Sequence, residues 1–246
     1  MGLGGLFYPW GIILQAIAIL HFARRRPEGY WIWIILLGGG IGALVYIVAE
    51  MVPDLGLLRG AVAGMSRRRR LHELEAAIVD NPSVGNLEEL ADLYLDEGQF
   101  AKARELYNKV LASRPDTLDG FYRRGLTAIA LGDLNAAVAD LDHVVATDPN
   151  YDFHRAIGLL AHACALAGQP DRADALFQRA VAATTLSETY YNYATFLADR
   201  ERFREAREWA ERILSRKATM PRYLQRRERP WFQKAKTLLK RLPVQA

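Results

Sequence analysis

The stretch LEELADLYLDEGQFAKARELYNKVLASRP, residues 87–115, decides the fold. Leu87, Leu90, Ala91 and Tyr94 recur at the spacing of one face of a helix. Gly98 then interrupts, and Phe100, Ala103, Tyr107 and Val110 resume the same spacing until Pro115 stops it. Two amphipathic helices joined by a short turn follow from this. Ala91 and Ala103 mark where the helices approach closely, and the aromatic rings fill the space around them. The order then recurs. The first unit covers residues 84–117, and the second covers 118–151 with Phe121, Gly125, Gly132, Ala137, Leu141, Val144 and Pro149 in matching places. Asp152 and Phe153 are inserted before the third unit, 154–186, which carries Ile157, Leu160, Ala161, Cys164, Gly168, Ala173, Phe177 and Ala180. Thr185 replaces its closing proline. The fourth unit, 187–217, has Tyr190, Tyr193, Ala194, Leu197, Phe203, Ala206 and Ile213.

A period of about 34 residues with this order of small and aromatic positions resembles the tetratricopeptide repeat. The resemblance covers roughly residues 70–245 and implies an all-α solenoid of about four repeats. A half-repeat helix precedes it within a basic linker segment, 67–83, and residues 218–246 form a basic capping end. There Trp231, Ala235, Leu238, Leu239 and Leu242 are expected on one face of a last helix.

Charge divides along the chain. Residues 1–70 hold 8 Lys and Arg against 3 Asp and Glu, residues 71–199 hold 9 against 20, and residues 200–246 hold 15 against 5. An acidic middle thus lies between two basic ends. Hydrophobic residues make up 51% of the chain at a mean hydropathy of −0.06, and their excess sits near the N-terminus. The single cysteine, Cys164, excludes an intrachain disulfide framework.

Residues 6–22 and 30–49 contain no Asp, Glu, Lys or Arg. Each is long enough to be expected as a membrane span, and the short basic connection makes the pair a transmembrane hairpin within residues 1–66. The first segment lacks the charged start and the cleavage site of a signal peptide. Gly38, Gly39, Gly40 and Gly42 suit close helix packing in lipid. The basic loop Arg24-Arg25-Arg26, the start Trp31-x-Trp33 and the finish Gly42-x-x-x-Tyr46 resemble the membrane module found ahead of phospholipase D-type nucleases and cardiolipin synthases. The His-x-Lys motif of that superfamily is absent, so its activity does not carry over. Arg67, Arg68, Arg69 and Arg70 are expected to contact anionic headgroups. Together with Arg59 they outnumber the loop arginines, which favours cytoplasmic repeats at a bacterial inner membrane, with the periplasmic side as the alternative.

In tetratricopeptide proteins the first helix of each repeat lines a concave groove that binds peptides or helices. By position, that resemblance assigns the groove to Glu88, Asp92, Leu95 and Asp96, then Asp119, Tyr122, Leu126 and Ile129. Arg155, His162 and Leu166 follow, and Glu188, Tyr191, Thr195 and Asp199 complete it. Glu88 and Asp92 stand where chaperone-binding members carry a Lys and Asn carboxylate clamp. An acidic groove would attract a basic and apolar partner segment.

No phosphate loop, nucleophile elbow or His-Glu-x-x-His occurs, and no catalytic residue or cofactor is expected. His154, His162 and Cys164 lack the spacing of a metal site, because Cys164 falls at a packing position. The basic C-terminal end suits a solvated cap, a lipid contact, pairing with the acidic repeats, or nucleic acid. The expected function is a membrane-anchored adaptor that binds a partner protein in the groove. Two alternatives stand beside it. One is a periplasm-facing chaperone, similar in layout to the tetratricopeptide component of cytochrome c maturation, which has two spans and a longer loop. The other is an accessory protein of phospholipid metabolism.

Overall fold

In a computed structural model the described residues are 8–25, 29–51 and 57–243, and they divide into two compact units, residues 1–73 and 74–246. All regular structure among them is helical.

The first unit contains α1 (Tyr8–Arg25), α2 (Tyr30–Leu37) and α3 (Gly39–Tyr46), with a π-helical turn over Ile47–Met51. Helix α1 packs on α2 and α3. The closest approach is at Gly11 and Gly40, where a Cβ on Gly40 would sit 2.9 Å from the Gly11 Cα. Only glycine permits that contact. Two continuous spans are not formed, and among the described residues no helix is long and apolar enough to cross a membrane. Helix α1 takes in Gln15, His21, Arg24 and Arg25. The second apolar segment breaks at Gly38 and Gly39, the latter at φ +54, into two eight-residue helices. On either side of the break Gly38 N–H donates to Ile34 O and Gly42 N–H to Gly38 O, both at 3.0 Å.

Two polar side chains are paired within this unit, and many large apolar ones are exposed. Gln15 Nε2 donates to Ile35 O (2.9 Å), and His21 Nδ1 shares a hydrogen bond with the Tyr46 hydroxyl (3.0 Å). Ala18, Trp31, Ile35, Ala43 and Tyr46 form the buried core, and Gln15 and His21 are half-buried. The outside carries Trp10, Ile12, Leu20, Trp33, Leu37 and Ile41, with Leu37 83% exposed.

Helix α4 (Leu57–Asp80) carries Arg67–Arg70, all exposed, and ends where Asn81-Pro82 halts it. The repeats follow as α5 (Val84–Asp96), α6 (Phe100–Ser113), α7 (Leu118–Leu131), α8 (Leu134–Thr147), α9 (Tyr151–Leu166), α10 (Pro170–Ala183), α11 (Ser187–Asp199) and α12 (Phe203–Ser215). Ser83 caps α5 by accepting from Asn86 N–H (3.3 Å), and Asp133 caps α8 by accepting from Ala136 N–H (3.3 Å). Ala91, Ala103, Ala137, Ala161, Ala173, Ala194 and Ala206 are fully buried, so the small positions are the contact points between paired helices.

One turn joins the two helices of every repeat. Gln99 N–H donates to Tyr94 O, Asp133 to Ala128 O, Gln169 to Cys164 O and Arg202 to Leu197 O, each at 2.8–3.0 Å. The residue before each donor is left-handed: Gly98 at φ 74, Gly132 at 76, Gly168 at 74, and Glu201 at 60. Glu201 therefore occupies the glycine position of the fourth repeat.

The chain closes with a 3₁₀ turn (Arg216–Ala218), α13 (Arg222–Arg227) and α14 (Arg229–Arg241), which packs on α11 and α12. Phe232, absent from the apolar face expected there, is the residue α14 buries most fully with Ala235 and Leu242, while Trp231, Leu238 and Leu239 are half-buried.

Candidate binding groove

Successive first helices α5, α7, α9 and α11 touch one another, and this direct packing makes them a continuous inner layer. A chain of charges runs across it. Asp92 on α5 accepts from the Tyr107 hydroxyl (2.6 Å) and pairs with Arg123 of α7 (3.1 Å). Arg123 also donates through Nε to Asp119 (2.7 Å), and Asp119 accepts from the Tyr151 hydroxyl (2.9 Å). The next link begins at Tyr122, whose hydroxyl donates to Asp152 (2.6 Å) and accepts from Arg155 Nη1 (3.2 Å). Arg155 then grips both oxygens of Glu188 on α11, at 2.6 and 3.3 Å.

Burial and pairing act against each other along this chain. Desolvation raises the Asp92 pKa above the ordinary carboxylate value, despite the Tyr107 hydrogen bond and the Arg123 charge. Burial, then the hydrogen bonds to Asp92 and Asp152, push the Tyr107 and Tyr122 hydroxyls well above the usual phenol range. These tyrosines stay protonated and serve as fixed donors.

The expected groove residues divide accordingly. Asp92, Asp119, Tyr122, Arg155 and Glu188 are drawn into the ladder, in which Arg123 and Arg155 pair with Asp92, Asp119, Asp152 and Glu188, so acids remain in excess along the inner face. Glu88 lies 3.9 Å from Arg114. Leu95, Leu126 and Ile129 are half-buried between the charged positions, and Asp96 and Leu166 are exposed. His162 is half-buried, and desolvation lowers its pKa. Cys164 is buried, and among the described residues no cluster of His, Cys, Asp and Glu gathers to hold a metal.

Tyr191, Thr195 and Asp199 line a cleft of about 570 Å³ whose opposite wall is Lys234, Thr237 and Arg241 of α14. Lys234 Nζ lies 4.2 Å from the Trp231 ring centroid and 5.6 Å from that of Tyr191, so the cap supplies a cation held by two rings. Positional reasoning missed Arg123, Tyr107, Tyr151, Trp231 and Lys234. The period alone carries no signal for pairing between repeats, although Arg123 beside Tyr122 was a visible counter-charge.

The inserted residues adopt an unusual shape. Asp152, Phe153 and His154 are all left-handed, at φ 49, 52 and 64. The turn leaves Phe153 86% exposed at the rim of a cleft of about 500 Å³, beside Trp231 and Arg227. Ser187 lines the same cleft, and its buried hydroxyl has no hydrogen-bond partner among the described residues.

Comparison with known proteins accords with this architecture. Residues 88–152 and residues 156–189 each match a family described as tetratricopeptide repeat. A 60-residue stretch is 47% identical to the FK506-binding protein-like of Rattus norvegicus, covering 24% of this chain and 17% of the rat protein. A thermophilic tetratricopeptide protein of Thermus thermophilus, TTC0263, superposes with a TM-score of 0.56 at 22% identity, over 78% of this chain and all of that one. YrrB, described as having an unusual peptide-binding site, gives 0.51 at 19% identity, over 65% and 81% of the two chains. MamA from Desulfovibrio magneticus RS-1 gives 0.53 at 20% identity, over 68% and 89%. The repeat region is a tetratricopeptide-repeat solenoid, the fold of a protein–protein interaction scaffold.

Proposed function

We propose that the solenoid holds a segment of a partner protein along its inner face, and that the N-terminal unit keeps it at a lipid membrane. The pre-set charge ladder carries the first part. Its side chains are already fixed by one another, so a partner meets a surface with little left to order. Arg123 and Arg155 pair with the central acids but are outnumbered by them, so the favoured partner is an amphipathic helix or extended peptide that carries basic residues among its apolar ones. Its apolar side chains would lie on Leu95, Leu126, Ile129 and Tyr191. The peptide-binding site in the description of YrrB supports the same use of this fold. Leu126→Asp with Ile129→Asp should abolish partner retention in detergent extracts while leaving helicity intact. Full retention by the folded double variant overturns the groove assignment.

The exposed apolar face of the first unit supports the membrane part. Water-soluble packing hides apolar side chains, whereas here Trp10, Ile12, Leu20, Trp33, Leu37 and Ile41 all lie outside a small core. At the break Gln15 Nε2 donates to the Ile35 carbonyl, a side chain satisfying a backbone group as hydrocarbon demands. The bundle would enter the bilayer as a packed, broken hairpin. Arg67–Arg70, which follow it in the sequence, favour the solenoid on the cytoplasmic side.

A further inference from the structure

A second site lies at the C-terminal cap, away from the inner face. The Arg216–Ala218 turn, α13 and α14 enclose a cleft of about 430 Å³ lined by Lys217, Gln225, Arg226, Arg229, Gln233 and Lys236, over a floor formed by Phe232. Four cations and no acidic residue line it. None of the four has an ion-pair partner among the described residues, and the nearby Glu228 pairs with Arg227 and lines a different cleft. The repeats behave otherwise: Arg104, Arg123, Arg124, Arg155, Arg172 and Arg202 each have a carboxylate within 3.1 Å. Leaving four like charges together without a counter-charge is unfavourable in the empty state, and an anion relieves it.

The cleft is also built. Gln225 Nε2 donates to Lys217 O (3.0 Å) and Met220 O (2.9 Å), which staples α13 to the preceding turn. Phe232 is buried against Tyr190, Ile213 and Ala235, and so fixes α14 as the other wall. The four cations are exposed, and the backbones that carry them are anchored separately.

We infer that this cleft binds a phosphate-bearing anion. Two guanidinium forks match phosphate oxygens bidentately, the ammonium groups add point charges, and the Gln233 amide offers a neutral donor. Four cations suit a compact group of charge about −2 or more, which a single carboxylate does not supply. Nucleic acid fits less well, because the ring lining the cleft is buried and offers no face for base stacking. Phosphate of this kind comes from a soluble anion or from the headgroup of a lipid.

The test is calorimetric titration of the full chain in zwitterionic detergent at about 0.15 M salt. The probes are inorganic pyrophosphate, monomeric dioctanoyl phosphatidic acid and a hexaglutamate peptide. Binding of pyrophosphate, phosphatidic acid or both supports the site, and the tighter of the two identifies the source. Arg226→Gln with Lys236→Gln should weaken that binding about tenfold or more. Lys240→Gln, which removes one charge from the same helix outside the cleft, should leave it unchanged. The inference is overturned if neither phosphate binds, if hexaglutamate binds more tightly than both, or if Lys240→Gln weakens binding as much as the cleft variant. None of these outcomes bears on the groove, whose tested residues Leu126 and Ile129 lie outside this cleft.

Discussion

Arg155 on α9 and Glu188 on α11 form a two-pronged ion pair across the boundary between the third and fourth repeats, with Nε and Nη2 reaching separate carboxylate oxygens at 2.6 and 3.3 Å. Both side chains are largely sheltered, and Arg155 also reaches Tyr122 and Asp152. The pair therefore joins neighbouring repeats through the surface assigned to the partner. Arg155→Met should destabilise the solenoid by about 1–3 kcal/mol, because it strands a sheltered carboxylate. Adding Glu188→Gln should recover part of that loss. Urea denaturation of the four members of the cycle measures the coupling, and additive losses would show that the pair contributes nothing.

Glu201 takes a left-handed backbone where the other three repeats have glycine. Its side chain is exposed, so little packing is lost on removal. Glu201→Gly should stabilise the chain by about 1 kcal/mol by relieving that conformation, whereas Gly132→Ala should cost a similar amount. Thermal unfolding of both variants checks the opposed signs.

The turns show how far the sequence could be read. Gly98, Gly132 and Gly168 recur with the period and announce three of the four turns. The fourth is held by the same backbone bonds with a residue whose side chain argues against it, so only the geometry of the first three implies it. Likewise, Asp152 and Phe153 were visible as an insertion, but neither their left-handed turn nor the hydrogen bond from Tyr122 to Asp152 was. The first-helix positions were named from the repeat, while the ion pairs they make were not. Arg123 and Asp92 meet because of the offset between stacked helices, a quantity no linear pattern contains. In the first unit, the run of glycines pointed to close packing, which Gly11 and Gly40 provide. It did not reveal that Gly39 would also break the helix.

Two carboxylates should respond oppositely to acid. The folded-state pKa of Asp92 is raised, so ionised Asp92 weakens the native state, and this penalty disappears as pH falls through its folded value. The Glu205 pKa is lowered, chiefly by its hydrogen bond from Arg202, so its contribution is present above the unfolded value and lost as pH falls through the folded one. Relative to the native chain, Asp92→Asn should therefore be better tolerated at about pH 7 than at about pH 3. Glu205→Gln should cost most at the higher pH. Chemical denaturation at both pH values tests the two signs, and parallel trends would contradict the assignment.

Trp33, Leu37 and Ile41 are among the most exposed apolar residues of the first unit. If lipid covers them, Trp33→Asp, Leu37→Asp and Ile41→Asp combined should release the chain from membranes on alkaline extraction. If they face water, the triple variant should fractionate as the native chain does.

The central claim, that the inner face of the repeats holds a partner segment, is tested most directly by site-specific photocrosslinking in native membranes. A photoreactive residue at Ile129 on the inner layer is compared with one at Ala101, exposed on the second helix of the first repeat. The account predicts a discrete adduct from position 129 and none from position 101. The captured polypeptide, once purified, should bind the full chain but not the variant carrying Leu126→Asp and Ile129→Asp. Adducts from position 101 alone, or equal binding of that polypeptide to the native chain and the variant, would contradict it.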